Sequence, residues 1–140
     1  MIPAPAAAAA NTKPVTEDNE TMAIDYQALK NRVFKDVEQT YTWKDSALYA
    51  LGIGFGQDPL DTRQLRFVYE GNGDQLTVPT MPVVMASPGF WVKEPDSGVD
   101  WVKVLHGEQS LILHKPVPVQ GTVVATMKVT GIVDKGADKG

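Results

Sequence analysis

The 140-residue sequence contains no cysteine. This absence excludes a disulfide framework, thiolate catalysis, cysteine-ligated zinc and iron–sulfur clusters, so the fold has to be held together by packing. Positive charge is also scarce, because 13 Lys and Arg stand against 17 Asp and Glu and the net charge is −4. A nucleic-acid binder needs excess cations to displace counterions from phosphates, so binding to DNA or RNA is not expected. The two histidines, His106 and His114, do not suffice for a zinc site, and we expect no metal.

The sequence also lacks a run of the roughly 18 apolar residues that a membrane span requires, so no membrane association is expected. The alanine run at residues 6–10 is short and follows no Lys or Arg, which is unlike a secretory signal. Residues 11–21 are polar and acidic, and we predict that residues 1–21 are a disordered tail or an added leader. Met22 is either an alternative start or the join between a leader and the natural chain. We expect a soluble cytoplasmic protein.

Helical spacing of apolar residues predicts a short helix over residues 24–34, with Asp25 at its N-terminal cap or in its first turn. Thr42 and Asp45 have capping-box spacing, so a second helix is expected to begin after Thr42. The side chains predicted to be buried on this helix are Leu48, Leu51 and, as a further candidate, Phe55. The residues expected to end it are Gly52, Gly54 and Gly56. A dinucleotide-binding loop is the poorer interpretation of these glycines, because it requires a further glycine where Gln57 stands.

Four segments have the composition of strands, namely residues 37–42, 65–69, 108–114 and 121–133. The last is the longest, and alternation gives it one apolar face that consists of Val123, Ala125, Met127, Val129 and Val133. Prolines restrict residues 81–86 to a short helix or a buried loop. Helices early and strands late predict an α+β fold with an antiparallel sheet. Because a long terminal strand needs neighbours on both sides, we interpret the sequence as ending before the sheet is complete.

Few residues carry chemistry, and two interpretations stay open for each of them. His106 and Gly107 form either a turn with a capping histidine or a ligand contact, since glycine permits close approach and the imidazole can hydrogen-bond. Lys135 is either a solvated turn residue or a phosphate-binding cation. Asp58 and Asp61 could act as acid and base, although such acids more often form turns.

Seven short segments occur in a characteristic order. They are Tyr41-Thr42-Trp43, Leu48-Tyr49-Ala50-Leu51-Gly52-Ile53-Gly54, Phe67-Val68-Tyr69-Glu70, Pro79-Thr80, Leu105-His106-Gly107-Glu108-Gln109, Lys115-Pro116-Val117-Pro118 and Asp134-Lys135-Gly136. Together they resemble the N-terminal half of the type-2 enoyl-CoA hydratases, the MaoC-like dehydratases with (R)-3-hydroxyacyl-CoA specificity. The resemblance covers residues 22–136.

The resemblance implies a hot-dog fold, in which a curved antiparallel sheet wraps around a helix and which the family uses twice in one longer chain. The C-terminal copy carries the motif Gly-Asp-x-Asn-Pro-(Leu/Ile/Val)-His, whose Asp and His activate water for addition to a 2-enoyl thioester. The nearest segment here, residues 56–61, has no Asn before the proline and has Asp61 where the His would stand. We therefore assign no catalytic residue, and residues 22–140 are expected to form the N-terminal hot-dog, truncated at its C-terminus.

The family contacts to acyl-CoA match His106, Gly107 and Lys135, and the CoA thioester is the substrate, so no cofactor is expected. The resemblance implies the substrate-binding, non-catalytic half of an (R)-specific 2-enoyl-CoA hydratase or 3-hydroxyacyl-CoA dehydratase of fatty-acid metabolism, inactive alone. The alternative is a freestanding acyl-CoA-binding or scaffolding subunit that pairs with a separate catalytic hot-dog chain. In either case we expect a catalytic hot-dog partner and a dimer, in the cytoplasm of a bacterium or the peroxisome of a eukaryote. A third alternative is a fragment that cannot keep its fold alone.

Overall fold

The structure is a computed structural model and describes residues 24–71 and 73–136. The predicted tail, residues 1–21, and Met22 lie outside the described residues. The helices and strands, in chain order, are α1 (Tyr26–Lys30), β1 (Val37–Tyr41), α2 (Trp43–Gly52), α3 (Thr62–Val68) and β2 (Gly121–Ala125). Short 3₁₀ turns lie between α3 and β2, at Met81–Val84, Trp91–Lys93, Pro95–Ser97 and Trp101–Lys103. None of the helices formed by the described residues is long and apolar enough to cross a membrane.

Strands β1 and β2 pair antiparallel, with Val37 opposite Ala125 and Tyr41 opposite Gly121. Across the pair, the hydroxyl oxygens of Thr40 and Thr122 are 2.9 Å apart and hydrogen-bonded. In the described part of the chain the sheet has these two strands. The prediction of an α+β fold with an antiparallel sheet is confirmed, with a sheet of two strands in the described residues.

The start of α2 is fixed by the predicted capping box. The backbone N–H and the hydroxyl of Thr42 both donate to one carboxylate oxygen of Asp45, at 2.7 and 2.8 Å. These two bonds favour the charged carboxylate and hold the pKa of Asp45 below its ordinary value. The helix ends at Gly52, and Gly54 follows at a φ of +94°, so the glycines terminate the helix as predicted.

The predicted buried face of α2 is wrong. Leu48 is 69% exposed and Leu51 is also exposed, whereas Ala50 is completely buried together with Ser46 and Ala47. The helical period is therefore correct and its phase is not. Small side chains face the rest of the domain because they let the helix approach the Met81–Val84 turn closely, and the sulfur of Met81 lies 3.6 Å from the Ser46 hydroxyl.

The strand predicted at residues 65–69 is wrong, because this segment belongs to helix α3. Asp61 caps the helix by accepting a hydrogen bond from the backbone N–H of Arg63 at 3.0 Å. The ring of Phe67 then packs edge-on against that of Phe55, with 4.9 Å between the centroids. The cap and this tertiary contact outweigh the β propensity of the side chains.

Three further predictions need correction in extent or type. Residues 108–114 form no strand and are exposed, and His114 faces solvent. Regular β2 ends at Ala125 rather than at Val133, although alternating burial continues through Val129. Both differences have the same cause, since a strand requires a paired neighbour and the five residues of β1 pair only with Gly121–Ala125. The helix predicted at residues 24–34 is confined to α1, with Asp25 as its cap.

The core lies where the end of β1 meets the Met81–Val84 turn, and this 3₁₀ turn is the first of the two alternatives, a short helix or a buried loop, that were predicted for residues 81–86. Its buried members are Tyr41, Met81 and Met85, and the partly buried side chains packed on them are Tyr49, Val117 and Val123. The core therefore joins β1 and β2 to the segment that precedes β2.

Candidate functional site

A groove of about 420 Å³ opens beside β2. The side chains that shape it include Tyr41, Met85, Ala86, Lys115, Val117 and Val123. Its lining is mainly apolar, and Lys115 is the charged residue among the described residues that line it. A groove of this kind suits an extended aliphatic group with an anionic or carbonyl group near its cationic wall.

Three hydroxyl groups hold the segment that forms one wall of this groove. The Tyr41 hydroxyl and the Thr77 hydroxyl both donate to the carbonyl oxygen of Pro118, at 2.8 and 2.9 Å. The Ser46 hydroxyl donates to the next carbonyl, that of Val119, at 2.8 Å. Burial raises the pKa of the Tyr41 phenol, which therefore stays a donor at neutral pH. We call Tyr41, Ser46 and Thr77 the hydroxyl cluster.

The groove lining also contains a residue with a strained backbone. Ala86 has a φ of +46°, a left-handed conformation that a side chain with a Cβ rarely adopts. Its backbone N–H donates to the side-chain oxygen of Gln39 at 2.5 Å, and its methyl group is buried in the groove lining. The contact with Gln39 holds a conformation that alanine would otherwise leave.

Arg32 holds the loop at residues 91–96, which lies in sequence between Ala86 and Lys115 of the groove lining. Its guanidinium forms ion pairs with Glu94 and, at 3.0 Å, with Asp96. The same group lies over the rings of Phe34 and Trp91, at 5.8 and 5.5 Å from their centroids. These contacts hold residues 91–96 against the segment that leads into β1.

The structure places the predicted acyl-CoA contacts outside the groove lining. His106 and Gly107 are exposed in the irregular segment after Trp101–Lys103, and the space beside Gly107 is open, because an added Cβ would meet no atom within 4 Å. Lys135 is exposed in a turn in which the carboxylate of Asp134 accepts the N–H of Gly136 at 2.7 Å. Whether these residues contact a ligand therefore stays a prediction.

The acids that could have formed a catalytic pair have local structural roles. One carboxylate oxygen of Asp58 accepts the backbone N–H of Leu60 at 2.9 Å, and Asp61 caps α3. The side chain of Arg63 bonds to Asp61 and lowers the pKa of its carboxyl group. The turn interpretation is confirmed for Asp58, and Asp61 is a helix cap instead. In residues 24–71 and 73–136 no group of three or more His, Asp or Glu side chains is placed to hold a metal ion.

The sequence analysis did not find the hydroxyl cluster. One signal was available, because Pro116 and Pro118 lack an N–H and cannot tie their segment into a ladder. A segment of that composition needs donors from elsewhere in the chain. Which hydroxyls supply them depends on contacts between residues 41, 46, 77 and 118, and no local pattern reveals those contacts.

The fold and the groove define a small α+β domain with a mainly apolar groove beside its two-stranded sheet. The chain belongs to the MFE-2 hydratase 2 N-terminal domain family, whose model matches residues 39–139. The resemblance to the type-2 enoyl-CoA hydratases is thereby confirmed.

Curated relatives agree with this assignment. The chain is 36% identical over 121 residues to "Probable enoyl-CoA hydratase 2" of Dictyostelium discoideum, which covers 82% of this chain and 39% of the relative. It is 38% identical over 103 residues to "Peroxisomal multifunctional enzyme type 2" of Mus musculus, and the match covers 70% of this chain and 14% of the relative. It is 32% identical over 120 residues to "3-hydroxyacyl-thioester dehydratase Y" of Mycobacterium tuberculosis, and the match covers 84% of this chain and 39% of the relative. The chain thus spans well under half of each of these relatives.

Proposed function

We propose that this chain is the substrate-binding, non-catalytic half of an (R)-specific 2-enoyl-CoA hydratase, with residues 22–140 as its N-terminal hot-dog domain. The observation that carries the proposal is the match to an N-terminal hydratase domain in a sequence without the Gly-Asp-x-Asn-Pro-x-His motif. An acid–base pair is needed to add water across the double bond, so a second domain has to supply it.

The groove gives this proposal a place for the acyl chain. Burial of aliphatic surface is favourable by roughly 25 cal/mol per Å², and the groove walls are mostly apolar. Lys135 would meet a CoA phosphate as a point charge, and the open backbone at Gly107 would let the ligand approach His106. The ligand itself is an acyl-CoA thioester, and the proposal requires no cofactor.

Exposed apolar side chains support a partner domain. Leu105 is 90% exposed in the irregular segment, as is most of Ile112, and Val102 is largely exposed in the preceding Trp101–Lys103 turn. Contiguous exposed apolar side chains mark interaction surfaces. The proposed partner is the catalytic hot-dog domain or subunit, and the assembly is a dimer. The proposal further places the protein in a bacterial cytoplasm or a eukaryotic peroxisome, and relatives from mouse and Arabidopsis thaliana are named peroxisomal.

The test is a spectrophotometric assay of crotonyl-CoA hydration. The purified chain, a separate C-terminal half that carries the hydration motif, and their mixture are each assayed. We expect activity of the mixture well above that of either half, and a lower activity when the mixture contains His106→Ala. Hydration by the purified chain alone would contradict the non-catalytic role, and a mixture no more active than the C-terminal half would contradict the substrate-binding role.

A further inference from the structure

The segment before β2 is held against the rest of the domain in an unusual way. Within the described part of the chain, residues 105–119 make no backbone–backbone hydrogen bond. Two of the residues in this stretch that line the groove, Pro116 and Pro118, have no N–H to donate. The groove wall at residues 115–118 is therefore fixed by something other than secondary structure.

The hydroxyl cluster supplies that hold. Its three members come from three separate places, the end of β1 for Tyr41, helix α2 for Ser46 and the segment before Met81–Val84 for Thr77. Each of these residues is buried, and each hydroxyl donates to the carbonyl of Pro118 or of Val119. A buried hydroxyl without a partner is unfavourable, so the donors and the carbonyls satisfy each other in this one arrangement.

We propose that the hydroxyls of Tyr41, Ser46 and Thr77 are positioning groups that hold the groove wall at residues 115–118 in the conformation that receives the acyl chain. The inference rests on the proposed function and goes beyond it, since it assigns the shape of the acyl groove to residues that do not match the family contacts to CoA. Because the cluster holds the wall and not the turn that carries Lys135, it governs the affinity for the acyl chain more than that for CoA.

The decisive variant is Thr77→Val, which removes one of the two hydrogen bonds to Pro118 and keeps the shape of the side chain. Thr77→Ser restores the hydroxyl, and Thr80→Val is the matched control, because it also removes one hydrogen bond, that from the Tyr49 hydroxyl, and neither Thr80 nor Tyr49 lines the groove. Dissociation constants for decanoyl-CoA and for CoA are measured by titration calorimetry. Each protein is the full chain, alone and mixed with the C-terminal half.

We expect Thr77→Val to weaken the binding of decanoyl-CoA roughly fivefold, which is the effect of one hydrogen bond. The affinity for CoA should stay within about twofold of the wild-type value. Thr77→Ser should bind like the wild type. Amide exchange at Val117 and Val119 should accelerate in Thr77→Val and not in Thr80→Val. Should Thr77→Val fail to fold, Ser46→Ala gives the same comparison through the Val119 carbonyl.

The outcomes separate this inference from the proposed function. If the wild type binds decanoyl-CoA and Thr77→Val binds it equally well, the positioning role is wrong and the proposed function stands. The same conclusion follows if Thr77→Val loses affinity for decanoyl-CoA and for CoA to the same degree. If the wild type binds neither ligand, even in the mixture, both are wrong. Weaker binding of decanoyl-CoA alone, with rescue by serine, supports both.

Discussion

Arg32 and Trp91 form a stacked pair, in which the guanidinium carbon lies 5.5 Å from the centroid of the indole ring. The Arg32 side chain is only 14% exposed, and its ion pairs with Glu94 and Asp96 extend from the same group. A buried stack contributes through packing as well as charge, unlike an ion pair in water. The pair connects residues 31–34 to a loop that is distant in sequence.

The stack makes a stability prediction. Arg32→Ala should lower the free energy of unfolding by about 1–2 kcal/mol, because packing and cation–π contacts are lost together. The control is Arg63→Ala, whose side chain is 90% exposed beside Asp61, so its loss should lower the free energy of unfolding far less than the loss of Arg32. Urea unfolding measures both. Equal losses would show that Arg32 contributes no more than a surface charge.

The observed face of α2 predicts opposite responses at two neighbouring positions. Ala50→Leu should destabilise the domain by about 1–3 kcal/mol, because Ala50 is completely buried and has no room for three more carbons. Leu48→Ala, on the exposed face, should change the free energy of unfolding by less than about 0.5 kcal/mol. Thermal unfolding of the two variants compares them directly. If Leu48→Ala lowers the free energy of unfolding more than Ala50→Leu does, the buried face predicted from the sequence is the correct one.

The buried phenol of Tyr41 predicts a decline of stability at alkaline pH. Its pKa is raised above the ordinary 10.0, so the folded state holds the proton more tightly than the unfolded state. The stabilisation is complete below the unfolded pKa and is lost as the pH rises through the raised folded pKa. The free energy of unfolding from pH 8 to pH 11 should therefore fall less steeply in Tyr41→Phe than in the wild type. A slope in Tyr41→Phe as steep as that of the wild type would contradict this prediction.

Lys135 is expected to act on CoA binding and not on the chemical step. Lys135→Ala should weaken CoA binding to the mixed halves severalfold while turnover of bound substrate changes less, since a phosphate contact lies far from the reacting double bond. Lys128→Ala, another exposed lysine, is the control. Equilibrium binding and saturation kinetics separate the two effects. Loss of turnover with unchanged binding would contradict the assignment of Lys135.

The sequence alone determined the features that depend on neighbours in the chain. The capping box of Thr42 and Asp45 and the turn at Asp58 are hydrogen bonds between residues two or three positions apart. The strand before α2 and the α+β class with an antiparallel sheet were also predictable, and so was the family. Each of these rests on a short pattern whose physical cause lies within that pattern.

Tertiary structure alone decided which face of α2 is buried, that residues 62–68 are helical, and that residues 105–119 are held by the hydroxyl cluster. Ser46 and Val119 are 73 positions apart, and Tyr41 and Pro118 are 77 apart. Such contacts select small side chains where elements approach closely and assign a partner to each buried hydroxyl. They arise from packing of the whole domain, and for that reason the sequence analysis predicted His106, Gly107 and Lys135, which lie outside the groove lining, and did not predict the groove itself.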